Sequence, residues 1–140
     1  MSKFELFIFL LLLCFIFGSC SSSDKTRYTD EQLDAMEQFT LLDPKVNPKP
    51  EAESFNDCMR RYFNPPRELL NQNRLLRAVI QFDVTPDGRT RNHSVISSDG
   101  YELSNAAISV LRQCPYKPGK IDGEPVYVTG VIQAVALEGR

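Results

Sequence analysis

Between Leu75 and Val84 apolar and polar residues alternate. Leu76, Ala78, Ile80, Phe82 and Val84 fall on one face, while Arg77, Gln81 and Asp83 fall on the other. A period of two is that of a strand with one face on a core and one toward water. Thr85-Pro86-Asp87-Gly88 breaks the run with residues suited to a tight turn. A second, more polar strand then runs from Arg89 to Ser98, which predicts a hairpin. A lone hairpin is marginal in water, so the rest of the chain must cover it. After Asp99-Gly100 the period changes. Leu103, Ala106, Ala107, Val110, Leu111 and Cys114 recur at helical spacing, and the stripe stops at Cys114-Pro115. Pro118-Gly119 and Asp122-Gly123 punctuate a loop. Val126 to Leu137 reads as a long last strand with apolar residues on both faces, in which Gly130 marks a bulge or a close backbone approach.

Upstream of the hairpin, Thr29-Asp30-Glu31-Gln32 has the form of a capping box. Leu33, Met36 and Phe39 follow at spacings of three, which predicts a short helix from about Asp30 to Phe39. The proline-containing stretch Asp43 to Pro50 then predicts an extended, semi-rigid spacer. Phe55, Cys58, Met59 and Tyr62 form the stripe of a second helix, ended by Asn64-Pro65-Pro66. Arg67 to Arg74 has room for one more helical turn. The expected fold is α+β: a two-layer sandwich with a three-stranded antiparallel sheet and packed helices, in the order α-β-β-α-β. It occupies residues 53–140. Residues 20–52 form a tether carrying the short helix and the spacer, and residues 1–19 a signal peptide.

The leader rests on Leu6 to Phe17, twelve unbroken apolar residues behind Lys3. A bilayer span needs about 20, and a secretory signal needs fewer. Phe17-Gly18-Ser19-Cys20 resembles the bacterial lipobox, which implies cleavage before Cys20 and lipidation of that cysteine. Ordinary cleavage to a soluble secreted protein and an uncleaved anchor are the alternatives. In each case the remaining chain lies outside the cytoplasm. The lipoprotein reading places it in the periplasm on a bacterial membrane, and Ser21 favours the outer one. Cys58 and Cys114 are then an even pair in a compartment where disulfides persist, and they are expected to bond.

Net charge is −2 over 140 residues, and the arginines between Arg60 and Arg91 are interspersed with acids. That pattern describes a solvated face and gives no expectation of nucleic-acid binding. No CxxC, HExxH, GxSxG or phosphate-binding loop is present. His93 is the single histidine, and a zinc site or triad would have to be built around it alone. A nucleophile made from Cys58 or Cys114 with His93 competes with the disulfide. The reading is therefore of a non-enzyme with no catalytic residues, no metal and no cofactor.

The order of segments resembles the C-terminal domain of the TonB family. The matching residues are Phe82-Asp83-Val84 with Asp87-Gly88-Arg89, then Val95 to Gly100, Ala106-Ala107, Tyr116-Lys117-Pro118, and Asp122 to Val126. Cys114 stands where the family often has tryptophan, and His93 where a small aliphatic residue is common. The resemblance implies a periplasmic interaction module whose partner is an envelope protein or an outer-membrane receptor peptide, with a link to TonB-dependent transport. Binding by strand addition at a sheet edge would use Tyr127, Thr129, Gly130 and Val131 of the last strand, where none of residues 126–137 is charged. The same edge could pair two copies of the chain. A cystatin-like inhibitor or a small-ligand-binding lipoprotein is the alternative, and its wedge would be the turn Pro86 to Arg89.

Overall fold

The computed structural model describes residues 27–139, so the expected leader and Cys20 lie outside the described residues. Helix α1 (Asp30–Asp34) leads into strand β1 (Gln38–Thr40), and the short β2 (Glu51–Ala52) precedes helices α2 (Phe55–Tyr62) and α3 (Arg67–Leu70). The hairpin is β3 (Leu75–Val84) and β4 (Thr90–Ser98), followed by α4 (Tyr101–Leu111). Three two-residue strands, β5 (Tyr116–Lys117), β6 (Lys120–Ile121) and β7 (Glu124–Pro125), lead to β8 (Tyr127–Glu138). The main sheet has the order β1-β8-β3-β4. Its β8-β3-β4 part is antiparallel, as the alternation and the turn require.

One face of this sheet makes the core. Leu76, Ala78, Ile80, Phe82 and Val84 of β3 are fully buried with Val128, Val131 and Val135 of β8. Leu103, Ala107, Val110 and Leu111 of α4 belong to the same core, with the small Ala107 letting helix and sheet approach closely. The predicted stripes thus meet face to face. Cys58 of α2 and Cys114 beyond α4 are joined in a disulfide, with their Cα atoms 5.7 Å apart.

Two expectations change. The sheet has four strands rather than three, because the helix expected to reach Phe39 stops at Asp34 and Gln38–Thr40 pairs in parallel with Tyr127–Thr129. The predicted capping box is present on both sides, Thr29 with Gln32, but it supports only a short helix. Leu41 N–H also reaches the Thr129 carbonyl at 2.9 Å. An unpaired strand edge offers donors and acceptors that a marginal short helix does not. Residues 28–52, expected as a tether, are accordingly docked on the domain. Leu33 is fully buried, and Val46 lies in the core between prolines.

The hairpin turn is largely buried. Thr85 has no exposed surface, and the Asp87 side chain is 4% exposed. The Thr85 hydroxyl donates to Asp87 Oδ1 and accepts the Arg89 N–H at 3.0 Å. Arg89 pairs with Asp87 at 3.0 Å and donates to the Tyr28 carbonyl at 2.6 Å, while Tyr28 N–H donates to Asp87 at 3.3 Å. This polar clasp fixes the start of the docked segment. Burial alone would raise the Asp87 pKa, but the Thr85 hydroxyl, the Tyr28 N–H and Arg89 outweigh it and hold the carboxyl below the usual value. A depressed folded value means that the stabilisation is complete above the unfolded pKa of about 4. It is lost as pH falls through the folded value. Asp87→Asn is expected to lower stability at pH 7 by about 1–2 kcal/mol. Denaturant titrations should show the gap between variant and wild type shrinking from pH 7 to pH 3. An equal gap at both would show that the charge is not its cause.

Candidate functional site

Alternation of backbone direction decides which parts of a strand edge are free. Arg77 accepts the Asp99 N–H on its carbonyl, so the odd-numbered residues of β3 turn their polar backbone toward β4 and the even ones toward β8. Opposite Phe82, Ile80, Ala78 and Leu76 stand Val131, Gln133, Val135 and Leu137. Those four residues of β8 therefore bond inward. Ile132, Ala134 and Ala136 turn their N–H and C=O groups outward. Among the described residues no strand covers them, because β1 pairs only with Tyr127, Val128 and Thr129.

A groove of about 540 Å³ runs beside this open stretch. Its far wall is α2, with Phe55, Asn56, Met59 and Arg60, and its near wall is Gln133 to Ala136. Phe55 and Met59 pack against the core while keeping part of their surface open. On the opposite face of the sheet Ile132 is 55% exposed, with Ala134 and Ala136 beside it. An extended chain laid along β8 would thus meet apolar surface on both of its own faces.

The other edge, β4, is built differently. Its pairing with β3 is interrupted by two register shifts, and Asn92 has a positive φ of 51°. Arg91, Asn92 and His93 make its first half polar, while Val95 and Ile96 stand half-exposed beyond them. Bulges and polar side chains are the usual protection of an edge. The open half of β8 has no bulge and no charge before Glu138, and its one polar side chain, Gln133, donates its amide to the Ala134 carbonyl at 3.0 Å.

The four residues expected to bind a partner are placed as follows. Tyr127 is buried, its backbone is covered by β1, and its hydroxyl donates to Asp83 at 3.2 Å. Burial and the neighbouring Asp83 push the Tyr127 pKa up to about 12. Thr129 is likewise paired with Thr40 of β1. Gly130 has φ +77° and sits at the register shift between Phe82 and Val84. Two residues of β8 there oppose one of β3, which is a β-bulge. The extra residue reverses the alternation, so Val131 points into the core beside Val128 rather than outward with Thr129. The open positions begin at Ile132. The reading by period alone missed Ile132, Ala134, Phe55 and Met59, although Gly130 within an apolar strand was the signal that the count shifts by one.

The remaining candidates for chemistry are occupied. Cys58 and Cys114 hold no free thiol while bonded. His93 stacks on Phe82 with 5.7 Å between ring centroids and meets the Thr90 hydroxyl at 2.9 Å. Burial and Arg112 lower its pKa against the opposing pull of Asp83. Arg60 and Arg89 pair with the interspersed Asp57 and Asp87, whereas Arg91 pairs with Asp34, far upstream in the chain. The buried turn leaves no protruding wedge of the cystatin kind.

These features define an α+β sandwich domain whose distinguishing surface is one open, charge-free strand edge. The family described as Gram-negative bacterial TonB protein C-terminal matches residues 66–135, and the chain belongs to that family. Domains of this family are periplasmic, non-enzymatic interaction modules that engage envelope or receptor proteins. No curated protein matches the chain. No helix among the described residues is long and apolar enough to cross a membrane.

Proposed function

We propose that this domain holds an extended segment of an envelope partner, an outer-membrane receptor peptide being the leading case, as an added strand on Val131–Glu138 of β8. The observation that carries the reading is the coincidence of a regular open edge, uncharged from Val131 to Leu137, with the groove walled by Phe55 and Met59. Main-chain bonds to Ile132, Ala134 and Ala136 would supply register and much of the affinity, and side chains lodging by α2 would select the sequence. Tyr127, Thr129, Gly130 and Val131 then act from behind: the first two carry β1, and the bulge sets the phase in which the edge is presented. We further read Cys20 as a lipidated anchor, so that the domain works at a membrane, and a role in TonB-dependent transport follows if the partner is such a receptor. Intact-mass measurement of the membrane-extracted protein should give a first residue of modified cysteine. An unmodified Cys20 overturns the anchor and leaves the edge reading intact.

The edge is tested with proline. Ala134→Pro removes an outward donor while leaving the β3–β8 ladder whole, and partner captured from detergent-solubilised envelope is expected to bind about tenfold more weakly. Val131→Pro removes an inward donor and is expected to damage folding, visible by circular dichroism. A folded Ala134→Pro protein that binds the captured partner as well as wild type would sink the reading. Self-association lost in the same variant would assign the edge to a second copy instead.

A further inference from the structure

The edge of β8 is divided at Gly130. Beyond it Ile132, Ala134 and Ala136 are open, and before it Tyr127, Val128 and Thr129 are covered by β1. A strand added along the open half and continued past the bulge therefore meets β1. A turn closed by the Asp43 N–H on the Thr40 carbonyl at 3.0 Å takes the chain off the edge at that point. Leu42, at this junction, is 89% exposed and anchors nothing.

The segment that carries β1 is firmly held only at its two ends. Tyr28 is gripped by Asp87 and Arg89, and Val46 is buried in the core. Between them Leu33 is the one buried side chain, and it lies outside the main core. Its helix has five residues, too short to be stable alone. Arg91 reaches Asp30 and Asp34 at 3.9 and 3.1 Å, but both acids are mostly exposed, and such pairs contribute little. β1 itself pairs over three residues and in parallel, the less stable arrangement per residue. Weak attachment of this kind marks a segment that opens while the rest of a domain stays folded.

We propose that residues 29–45 form a displaceable strap, an internal strand that closes the first half of the β8 edge until a partner strand replaces it. With the strap docked, the edge accepts a short segment over Val131–Glu138. With the strap released, an extended partner continues to Tyr127. Apparent affinity for the longer segment is then reduced in proportion to the fraction of molecules whose strap is open. This regulatory role rests on the strand-addition reading, whereas opening of the strap does not.

Hydrogen exchange of the full chain reads the opening without any partner. The Leu41 amide, bonded to Thr129, is expected to exchange at least about hundredfold faster than the Ile80 and Phe82 amides of β3. Leu33→Ala should speed it about tenfold further and leave β3 unchanged. Asp30→Asn with Asp34→Asn, at exposed positions that put folding at no risk, should speed it about twofold. The probe in trans is a synthetic peptide of residues 28–45. It is expected to bind the Leu33→Ala protein at least about tenfold tighter than wild type and to shift the Tyr127, Val128 and Thr129 amides. Equal protection of Leu41 and β3 would overturn the strap, as would equal binding of the peptide to both proteins. The envelope partner used to test Ala134→Pro should bind Leu33→Ala about tenfold more tightly than wild type. Unchanged partner affinity in a protein whose strap has opened overturns the regulation and leaves the strap. A partner indifferent to Ala134→Pro overturns the edge reading, and the regulation with it.

Discussion

Gly88→Ala is expected to cost about 3–5 kcal/mol of folding stability, although it adds a single methyl group at a hairpin turn. Two causes act together. Gly88 has φ +81°, a conformation that an L-residue adopts at a cost of about 1–2 kcal/mol. A Cβ there would also overlap the backbone carbonyl of Tyr116. That carbonyl cannot swing away freely. Tyr116 donates its own N–H to the Gly88 carbonyl at 3.1 Å, its ring lies edge-on to Phe82, and its strand pairs with β2. The Gly88 N–H meanwhile closes the turn on Thr85 at 2.9 Å. Gly123 provides the control, since its φ is +83° and nothing lies within 4 Å of an added Cβ. Gly123→Ala is expected to show the backbone cost alone, about 1 kcal/mol. Urea titrations of the two variants separate strain from overlap, and equal losses would mean that Gly88 does not need its close approach to Tyr116.

That turn illustrates which parts of the structure the sequence makes legible. Periodicity reports what a residue does within its own element, and so β3, α2 and α4 follow directly from apolar stripes, while β4 follows from the turn that precedes it. The disulfide followed from counting, because compartment and number left Cys58 and Cys114 to each other. Burial of Thr85 to Arg89 did not follow. Those residues are polar by type, and their partners include Tyr28, which is 59 residues from Asp87. Polar groups that satisfy one another can be buried at little cost, and the pairing is invisible locally. Strand β1 was hidden for a related reason. Leu33, Met36 and Phe39 fit a helix, while the edge of β8 that captures Gln38–Thr40 lies far along the chain. The edge site was half legible. The charge-free last strand pointed to β8, but the bulge at Gly130 moved the open positions from Thr129 and Val131 to Ile132, Ala134 and Ala136, and the groove wall came from α2.

That same wall makes the disulfide more than a stability device. Cys58 and Cys114 are both nearly fully buried and close a loop with a sequence separation of 56. Cross-linking a loop of that length restricts the unfolded chain by roughly 4 kcal/mol at 25 °C in the chain-entropy account. Domains of this size have total stabilities of about 5–15 kcal/mol. The Cys58→Ala, Cys114→Ala double variant is therefore expected to lose about 3–5 kcal/mol in denaturant titrations. The loss should also fall unevenly. α4 keeps Leu103, Ala107, Val110 and Leu111 in the core, whereas α2 has Cys58 as its only fully buried side chain, with Phe55 and Met59 partly open. Once the bridge is gone, α2 is the element least held, and its amides are expected to exchange faster with solvent than those of α4. Partner affinity is expected to fall in parallel, because Phe55 and Met59 no longer stand fixed beside Gln133 to Ala136. If the double variant loses stability while α2 stays protected and affinity is unchanged, the bridge serves the unfolded-chain entropy alone and α2 is held by its apolar contacts.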